Sequence, residues 1–524
     1  MLEQSIQRAR FSPVPGGTSE VGPLRLAKLD SDAAWIPLIH CPANFPPELF
    51  AVATSQLVHH PEYNSTLILR SETVSETTSG FSDIVPTLSG FTINKHIHRR
   101  LLPRRPGRDT GLEQHCTLYS PTSPTPHDEI NTETGPEESP SPSVLVLTPI
   151  VEQGSILPYY HPAVSHIAFR YIPIADPDVS GILQIEAIPL EGTPTDPNSR
   201  LYRTALALLD TLHRYGWGAL TNYKKRVNHD CIVPREEYQD LYLVMRERHK
   251  HLVNTWKEST DPLKHVYEDI GIATFLMLLW KQMYSVFEPV TTDSQEPWHS
   301  WGRAPSGFLD LGCGNGLLTH ILVSEGYLGH GIDVRKRVSW GHYPESTQAS
   351  LHVEALDPTS ISLSSSETTY LGSGVFIIGN HADELTPWVP VLSTLCDASG
   401  YLSIPCCPWT FDMKYERSRH PPYPVPTSFD EFVESLGLGG DGSNSSAYSR
   451  YRIWLASLHA HCGWVVESET LRIPSTRNWA LVGRRRSHEG NGEEGKRKAE
   501  EIMEIVTSRG MFKTRTPEGK AGDH

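Results

Sequence analysis

Hydrophobic and polar positions divide the chain into two styles of patterning. Up to about residue 170, short apolar runs such as "FAVATSQLV", "STLILR", "SVLVLTPIV" and "HIAFRYI", followed by "GILQIEAIPL", are separated by polar stretches. Runs of this length, rich in β-branched residues, predict strands, so residues 1–195 are expected to form a mostly β, irregular N-terminal domain. Two of its polar stretches, 71–83 and 120–143, are rich in Ser, Thr, Pro and acids. They carry too little apolar surface to order and are expected to be disordered insertions. From residue 200 to 290 the period becomes helical. "PREEYQDLYLVMRERHKHLVNTW" opens on proline and acids as a helix start does, and "HVYEDIGIATFLMLLWKQMYSVF" is apolar nearly all round, as a buried helix would be. These helices are expected to form a lead-in packed on the domain that follows. Over 300–486 seven apolar segments alternate with helical ones, at 308–312, 329–333, 351–356, 374–380, 400–406, 463–473 and 479–484. That order predicts an α/β domain on a Rossmann-like seven-stranded sheet whose last two strands form a hairpin. The charged, glycine-bearing remainder, 487–524, reads as a flexible or weakly helical tail.

The first strand of that domain runs into a turn with unusual chemistry, "FLDLGCGNGLLTH". Gly312, Gly314 and Gly316 allow positive φ and a close approach of backbone to ligand, and Asp333 ends the next strand where a carboxylate can accept both hydroxyls of a ribose. A dinucleotide fingerprint wants G-x-G-x-x-G facing a pyrophosphate. Here Asp310 stands two residues before the first glycine, where it would repel a pyrophosphate but suits an ammonium or a sulfonium. The pattern resembles the first motif of Rossmann-like S-adenosylmethionine-dependent methyltransferases. The resemblance implies that Asp310, Gly312, Cys313, Gly314, Asn315 and Gly316 hold the methionine end of the cofactor, and that Asp333 holds its ribose.

In an open α/β sheet the ligand crevice lies beyond the carboxyl ends of the strands. Asp357, just after the third strand, is placed to meet the adenine amino group or to form an Asp-Pro turn. The fourth strand ends in "IIGNHADELTPW", which brings Asn380, His381, Asp383 and Glu384 over the crevice, although Asp383 or Glu384 also fits a helix cap. Cys406 and Cys407 close the fifth strand. Two adjacent cysteines are poor joint ligands for one metal, so they read as packing or substrate contacts, and no metal site is expected. Arg472, Ser475, Thr476 and Arg477 lie in the final hairpin, as phosphate contacts or as a polar turn.

Composition narrows the partners. A formal net charge of −15 argues against a protein that coats nucleic acid indiscriminately. Within that acidic chain, Lys95, Arg99, Arg100, Arg104, Arg105 and Arg108 form one basic segment, and "NYKKRVNHD" at 222–230 forms another. Each fits either a phosphate backbone or a solvated loop. The eight cysteines include no C-x-x-C pair, which removes zinc-ribbon and thioredoxin-like chemistry. No apolar signal core or membrane-length run occurs, so the chain reads as cytoplasmic.

Taken together, "DLGCGNGLLTHILVSEGYLGHGID", "IIGNHADELTPW", "IPCC", "LRIPSTRNWALVG" and "NYKKRVNHDCIVPREEYQDLYLVMRERH" resemble the eukaryotic tRNA (uracil-2'-O-)-methyltransferase family. The resemblance covers 200–484 well and continues weakly upstream. It implies methyl transfer from S-adenosylmethionine to the ribose 2'-hydroxyl of a uridine near the variable arm of serine tRNA, with an accessory RNA-binding protein as a further possible partner. The Lys-Asp-Lys-Glu tetrad of many ribose methyltransferases is not legible. Asp383 or His381 is therefore expected to accept the proton, with Asn380 and Glu384 beside them and Lys225, Arg335 and Lys336 orienting phosphates. The alternatives are a methyltransferase acting on another RNA, a protein or a small molecule, and a cofactor-dead RNA-binding scaffold. The last should have lost Asp310, the glycines or Asp333, and all are present.

Overall fold

In the computed structural model the described residues are 10–27, 34–81, 85–122, 140–151, 156–174, 180–223, 228–284, 296–360, 370–416, 423–439, 444–487, 492–510 and 512–514. The chain separates into two compact units, Met1–Lys224 and Lys225–His524. In the first unit the elements are β1 (Val14–Pro15), β2 (Ile36–Pro42), α1 (Phe50–His59), β3 (Ile68–Thr77), β4 (Phe91–Pro103) and β5 (Leu112–Pro121). They continue with β6 (Val144–Ile150), β7 (Val164–Ile172), β8 (Ile182–Pro189) and α2 (Arg200–Leu220). The strands form one eight-stranded antiparallel sheet in the order β1-β2-β8-β7-β6-β5-β4-β3. Phe45, Phe50, Leu147, Phe169, Leu209 and Leu212 share the core between this sheet and its helices.

Two expectations change here. The stretch from residue 71, expected to be disordered, is strand through Thr77, because β3 satisfies its backbone against β4. Ser and Thr suit an edge strand with one wet face. Residues 82–84 and most of the second insertion, 123–139, lie outside the described residues, while 120–121 end β5. Helix α2 belongs to the first unit rather than to the helical lead-in, since its apolar face (Leu201, Ala205, Leu209, Leu212) is buried in that core.

The second unit begins with α3 (Arg235–His249) and α4 (Pro262–Met283), followed by β9 (Phe308–Leu311), α5 (Leu317–Ser324), β10 (Gly329–Asp333), α6 (Glu345–Gln348) and β11 (Leu351–Val353). Then come β12 (Phe376–Asn380), α7 (Trp388–Leu395), β13 (Gly400–Ile404), α8 (Phe429–Ser435), α9 (Ala447–His461), β14 (Glu467–Thr470), β15 (Trp479–Gly483) and α10 (Glu493–Arg509). Their seven strands make the expected sheet, ordered β11-β10-β9-β12-β13-β15-β14, parallel except for β15. One apolar layer holds α3, α4 and α5 on one face, and the other holds α7, α9 and α10 on the opposite face. Strands β10 and β12 leave β9 in opposite directions, so the carboxyl ends of β9, β10 and β12 open a crevice at the switch point.

The tail departs from expectation as well. Residues 493–509 form the 17-residue helix α10, with Ala499, Ile502 and Val506 buried against the same core as Trp388 and Leu392. Apolar positions at spacings of three and four give this otherwise charged segment one stripe to bury, which is sufficient to fix it.

Candidate active site

Asp310 sits inside β9, 2% exposed. The Thr319 hydroxyl on α5 donates to its Oδ2 at 3.0 Å, while Oδ1 has no hydrogen-bond partner among the described residues. Burial, followed by the negative charge of Asp333, pushes the Asp310 carboxyl up to about 7. A buried carboxyl with an unused oxygen and a raised pKa is a place where a cationic group binds favourably, because the cation would restore the charge that burial penalises.

The turn beyond it is tethered at both polar ends of Gly314. Its N–H donates to Asp333 Oδ2 at 2.9 Å, and its carbonyl accepts from the Trp340 indole at 2.9 Å. Gly314 has φ +55°, and a Cβ added there would meet nothing within 4 Å. Gly316 has φ +72° and opens α5; a Cβ there would come within 2.8 Å of Leu351 Cδ1. The positive φ favours glycine at both positions, and at the second the lack of space excludes a side chain as well. Asn315 is not among the residues lining the cleft beside this turn; its Oδ1 accepts from Leu317 N at 2.9 Å and fixes the helix start. Cys313 turns inward, so that a Cβ on Gly331 would lie 2.9 Å from its Sγ, and burial holds its thiol well above the usual range.

A cleft of about 270 Å³ opens beside this turn and takes Gly312, Gly314, Asp333, His381, Asp383 and Glu384 into its walls. Six of the expected site residues therefore meet there. Asp310 lies buried in the strand that leads to the turn, and Asn380 closes β12 with a buried Oδ1 that has no partner among the described residues. Asp357 is not brought in: its Oδ1 accepts from the Thr359 N–H and hydroxyl at 2.9 and 2.7 Å, the turn-forming role. Glu354, three residues earlier, lines the cleft instead, with its carboxyl pushed up by burial.

The loop after β12 is conformationally strained. His381 has φ +56° and Asp383 φ +45°, left-handed values that non-glycine residues adopt at a cost. His381 Nε2 reaches Glu268 Oε1 at 3.3 Å. Glu268 comes from α4 and is 3% exposed. Burial alone would raise its pKa, but the contact and charge of His381, aided by Ser475 and Lys264, bring it below the ordinary carboxylate range. The next residue, Asp269, goes the other way: burial and the nearby Glu268 and Asp310 raise it well above that range. Asp383 Oδ1 accepts from the Cys406 thiol at 3.7 Å, and burial raises the pKa of both Cys406 and Cys407. The ligand atoms of Asp383, Cys406 and Cys407 all lie within 4.8 Å of one another, a spacing compatible with a metal ion. Adjacency therefore does not keep these two thiols apart.

Four of the six cations in the basic segment are engaged with partners in their own fold. Lys95 pairs with Glu76 at 2.6 Å and Arg100 with Glu113 at 2.7 Å. Arg99 is buried, and Arg104 Nε donates to the Ile68 carbonyl at 3.1 Å. Arg105 and Arg108 stay exposed in the turn before β5. Lys225 lies outside the described residues, whereas Arg335 and Lys336 are exposed just past Asp333. Arg472 is committed to Asp230 at 2.7 and 2.5 Å, and Arg477 stacks on the Tyr448 ring at 3.7 Å.

Glu268, Glu354 and Phe512 are cleft or near-cleft residues that do not stand out in the sequence. For Glu268 a signal exists: two acids interrupt an otherwise apolar helix in "HVYEDIGIATF". Phe512 carries none, since it stands in a charged tail.

Comparison with known proteins agrees with this geometry. Residues 13–226 match the family model described as TRM44-like, N-terminal bet v1-like domain, and residues 232–358 match one described as predicted AdoMet-dependent methyltransferase. Among curated relatives, a tRNA (uracil-O(2)-)-methyltransferase of Neurospora crassa is 33% identical, covering 91% of this chain and 92% of the relative. Those of Schizosaccharomyces pombe and Saccharomyces cerevisiae are 32% and 31% identical, covering 87% and 74% of this chain and 86% and 68% of the relatives. No solved structure matches the chain significantly. With relatives that agree along most of its length, the chain belongs to the tRNA (uracil-O(2)-)-methyltransferase family.

Proposed function

We propose that this S-adenosylmethionine-dependent tRNA methyltransferase acts on serine tRNA, at the ribose of a uridine near the variable arm, with His381 as the proton acceptor. The observation that carries the catalytic assignment is the contact between His381 and the buried Glu268 at the edge of the nucleoside cleft. S-adenosylmethionine, when bound, supplies an electrophilic methyl group. Asp310 and the Gly312–Gly316 turn would hold its methionine end, and Asp333 its ribose.

A ribose hydroxyl is a weak nucleophile and must be aligned and relieved of its proton. With Nε2–H donating to Glu268, the imidazole Nδ1 carries the lone pair. As the 2'-oxygen gains its methyl, the hydroxyl proton passes to Nδ1, and the Glu268 carboxylate stabilises the resulting imidazolium. Asp383 is less suited to that role, since it lies against two protonated thiols. The exposed Arg335 and Lys336 are placed to receive the flanking phosphates, and an accessory RNA-binding protein would add to a surface that is acidic overall.

The test is transfer of labelled methyl to unmodified serine tRNA, compared with other tRNA transcripts, followed by nuclease mapping. Formation of 2'-O-methyluridine at a single site in serine tRNA, lost with Gly314→Arg, is the expected result. Equal methylation of all tRNAs would remove the serine assignment, and a methylated base instead of a ribose would remove the role of His381.

A further inference from the structure

We propose that Phe512, from beyond the methyltransferase sheet, forms the wall of the cofactor cleft against which the adenine base packs. The inference rests on the nucleoside reading of that cleft. Helix α10 is anchored through Ala499, Ile502 and Val506 in the core that contains Trp388. It ends at Gly510, whose φ of +58° turns the chain out of the helix. Two residues later the Phe512 ring meets Trp388 edge-on, with centroids 5.7 Å apart and planes at 85°. Trp388 is fully buried and begins α7, immediately after the His381–Pro387 loop, so it is a fixed backstop.

Phe512 and Thr514 line the same cleft as Gly314 and Asp333. The division of that cleft decides what Phe512 meets. Gly314 and Asp333, hydrogen-bonded to each other, are polar and suit the sugar, while Ile332, Leu356 and Leu385 share one apolar cluster with Phe512 and are left for the base. An aromatic ring at this position offers a flat apolar surface to a heteroaromatic base. Glu354, whose carboxyl burial pushes up from its ordinary range, and the Thr514 hydroxyl are the polar groups available to the base edge. Phe512 is thus a positioning residue for the nucleoside, with no part in handling the proton.

Calorimetric titration of the full-length protein with S-adenosylhomocysteine and with adenosine tests this. Phe512→Ala should raise both dissociation constants by the same factor, about tenfold, and Phe512→Leu should restore part of the loss. Affinity for tRNA should not change. Unaltered affinity, or tighter binding as expected if the segment merely plugs the cleft, overturns the proposal. A larger loss with S-adenosylhomocysteine than with adenosine overturns it too, because the contact would then lie at the amino-acid end. Failure of the unmutated protein to bind either ligand would instead count against the nucleoside reading itself. Circular dichroism melting of both variants separates a local loss from unfolding, and Phe512→Leu carries the test if the alanine variant melts early.

Discussion

Arg99 in the N-terminal sheet and Asp310 in the methyltransferase sheet are both charged side chains buried in strands, at 3% and 2% exposure. They differ in what surrounds them. Arg99 donates from Nε and Nη2 to Gln114 Oε1, and from Nη1 to the carbonyls of Leu57 and Val58, so four of its five N–H donors are spent inside the fold. Asp310 receives one hydroxyl on one oxygen and nothing on the other among the described residues. Buried charge with a nearly filled set of partners serves the fold, and buried charge left short marks a place where a ligand completes the set.

Exchanging the two charges for neutral groups should break that symmetry most strongly. Asp310→Asn keeps the shape and removes the charge. It should weaken S-adenosylhomocysteine binding by roughly a hundredfold, about 3 kcal/mol, without lowering the melting temperature. Arg99→Met should do the opposite, destabilising the protein by about 3 kcal/mol because three acceptors lose their donor, with cofactor affinity unchanged. Calorimetry and denaturant unfolding read the two effects separately. A cofactor defect in the Arg99 variant, or a purely structural one in the Asp310 variant, would erase the distinction.

How much of this is legible in the sequence follows the same line. Asp310, the three glycines and Asp333 can be read because each is demanded by backbone geometry or by a chemistry with few alternatives, and short spacing keeps them together. The order of seven strands is legible from period and length. Arg99 reads as a surface cation because a run of Lys and Arg looks alike whether it faces water or carbonyls; only pairing with β5 and the approach of α1 place its guanidinium inside. Glu268 lies more than 110 residues from its partner His381, and no local pattern encodes such a meeting. The tail is illegible for a related reason: the stripe of Ala499, Ile502 and Val506 is thin, and its burial depends on α7 being there to receive it.

The protonation of Asp310 sharpens the comparison further. In the folded apo protein its pKa is raised from the ordinary 3.8 to about 7. The folded state therefore holds a proton that the unfolded chain has already released above pH 4. The stability this contributes is present below that point and is lost as pH rises toward 7. A bound cation favours the carboxylate and reverses the trend. S-adenosylhomocysteine should thus bind up to about tenfold more tightly at pH 8 than at pH 6 and release protons on binding near pH 6.5, read as a dependence of the calorimetric enthalpy on buffer ionisation. The thermal shift it produces should be larger at the higher pH. Asp310→Asn should abolish both dependences, whereas Arg99→Met should leave them intact.

Glu268 is a third buried charge and an intermediate case, with a partner that itself faces the cleft. Glu268→Gln should lower kcat by about ten- to a hundredfold while leaving the KM for tRNA and the affinity for S-adenosylhomocysteine in place. Combined with His381→Ala it should add little, since the two act through one imidazole ring. If the double variant shows the full product of the single losses, Glu268 and His381 work independently and the proton needs another acceptor.

The smallest effects concern the basic segment, where the contrast between committed and uncommitted charge can be tested within one hairpin. Lys95 and Arg100 already face Glu76 and Glu113 across the sheet, and exposed pairs of this kind are worth at most about 1 kcal/mol. Replacing both with alanine should leave tRNA affinity and stability nearly unchanged, because each cation is already neutralised by its neighbour. Arg105 and Arg108 lie exposed in the turn that follows. If that turn meets the phosphate backbone, Arg105→Ala with Arg108→Ala should weaken tRNA binding a few-fold. It should also flatten the plot of log affinity against log salt by about one for each phosphate no longer neutralised, whatever the tRNA sequence. A loss from the Lys95/Arg100 pair that equals the loss from the turn would mean that RNA competes successfully with the carboxylates. Charge already partnered in the fold would then be recruited to the substrate, contrary to what the Arg99 and Asp310 comparison teaches.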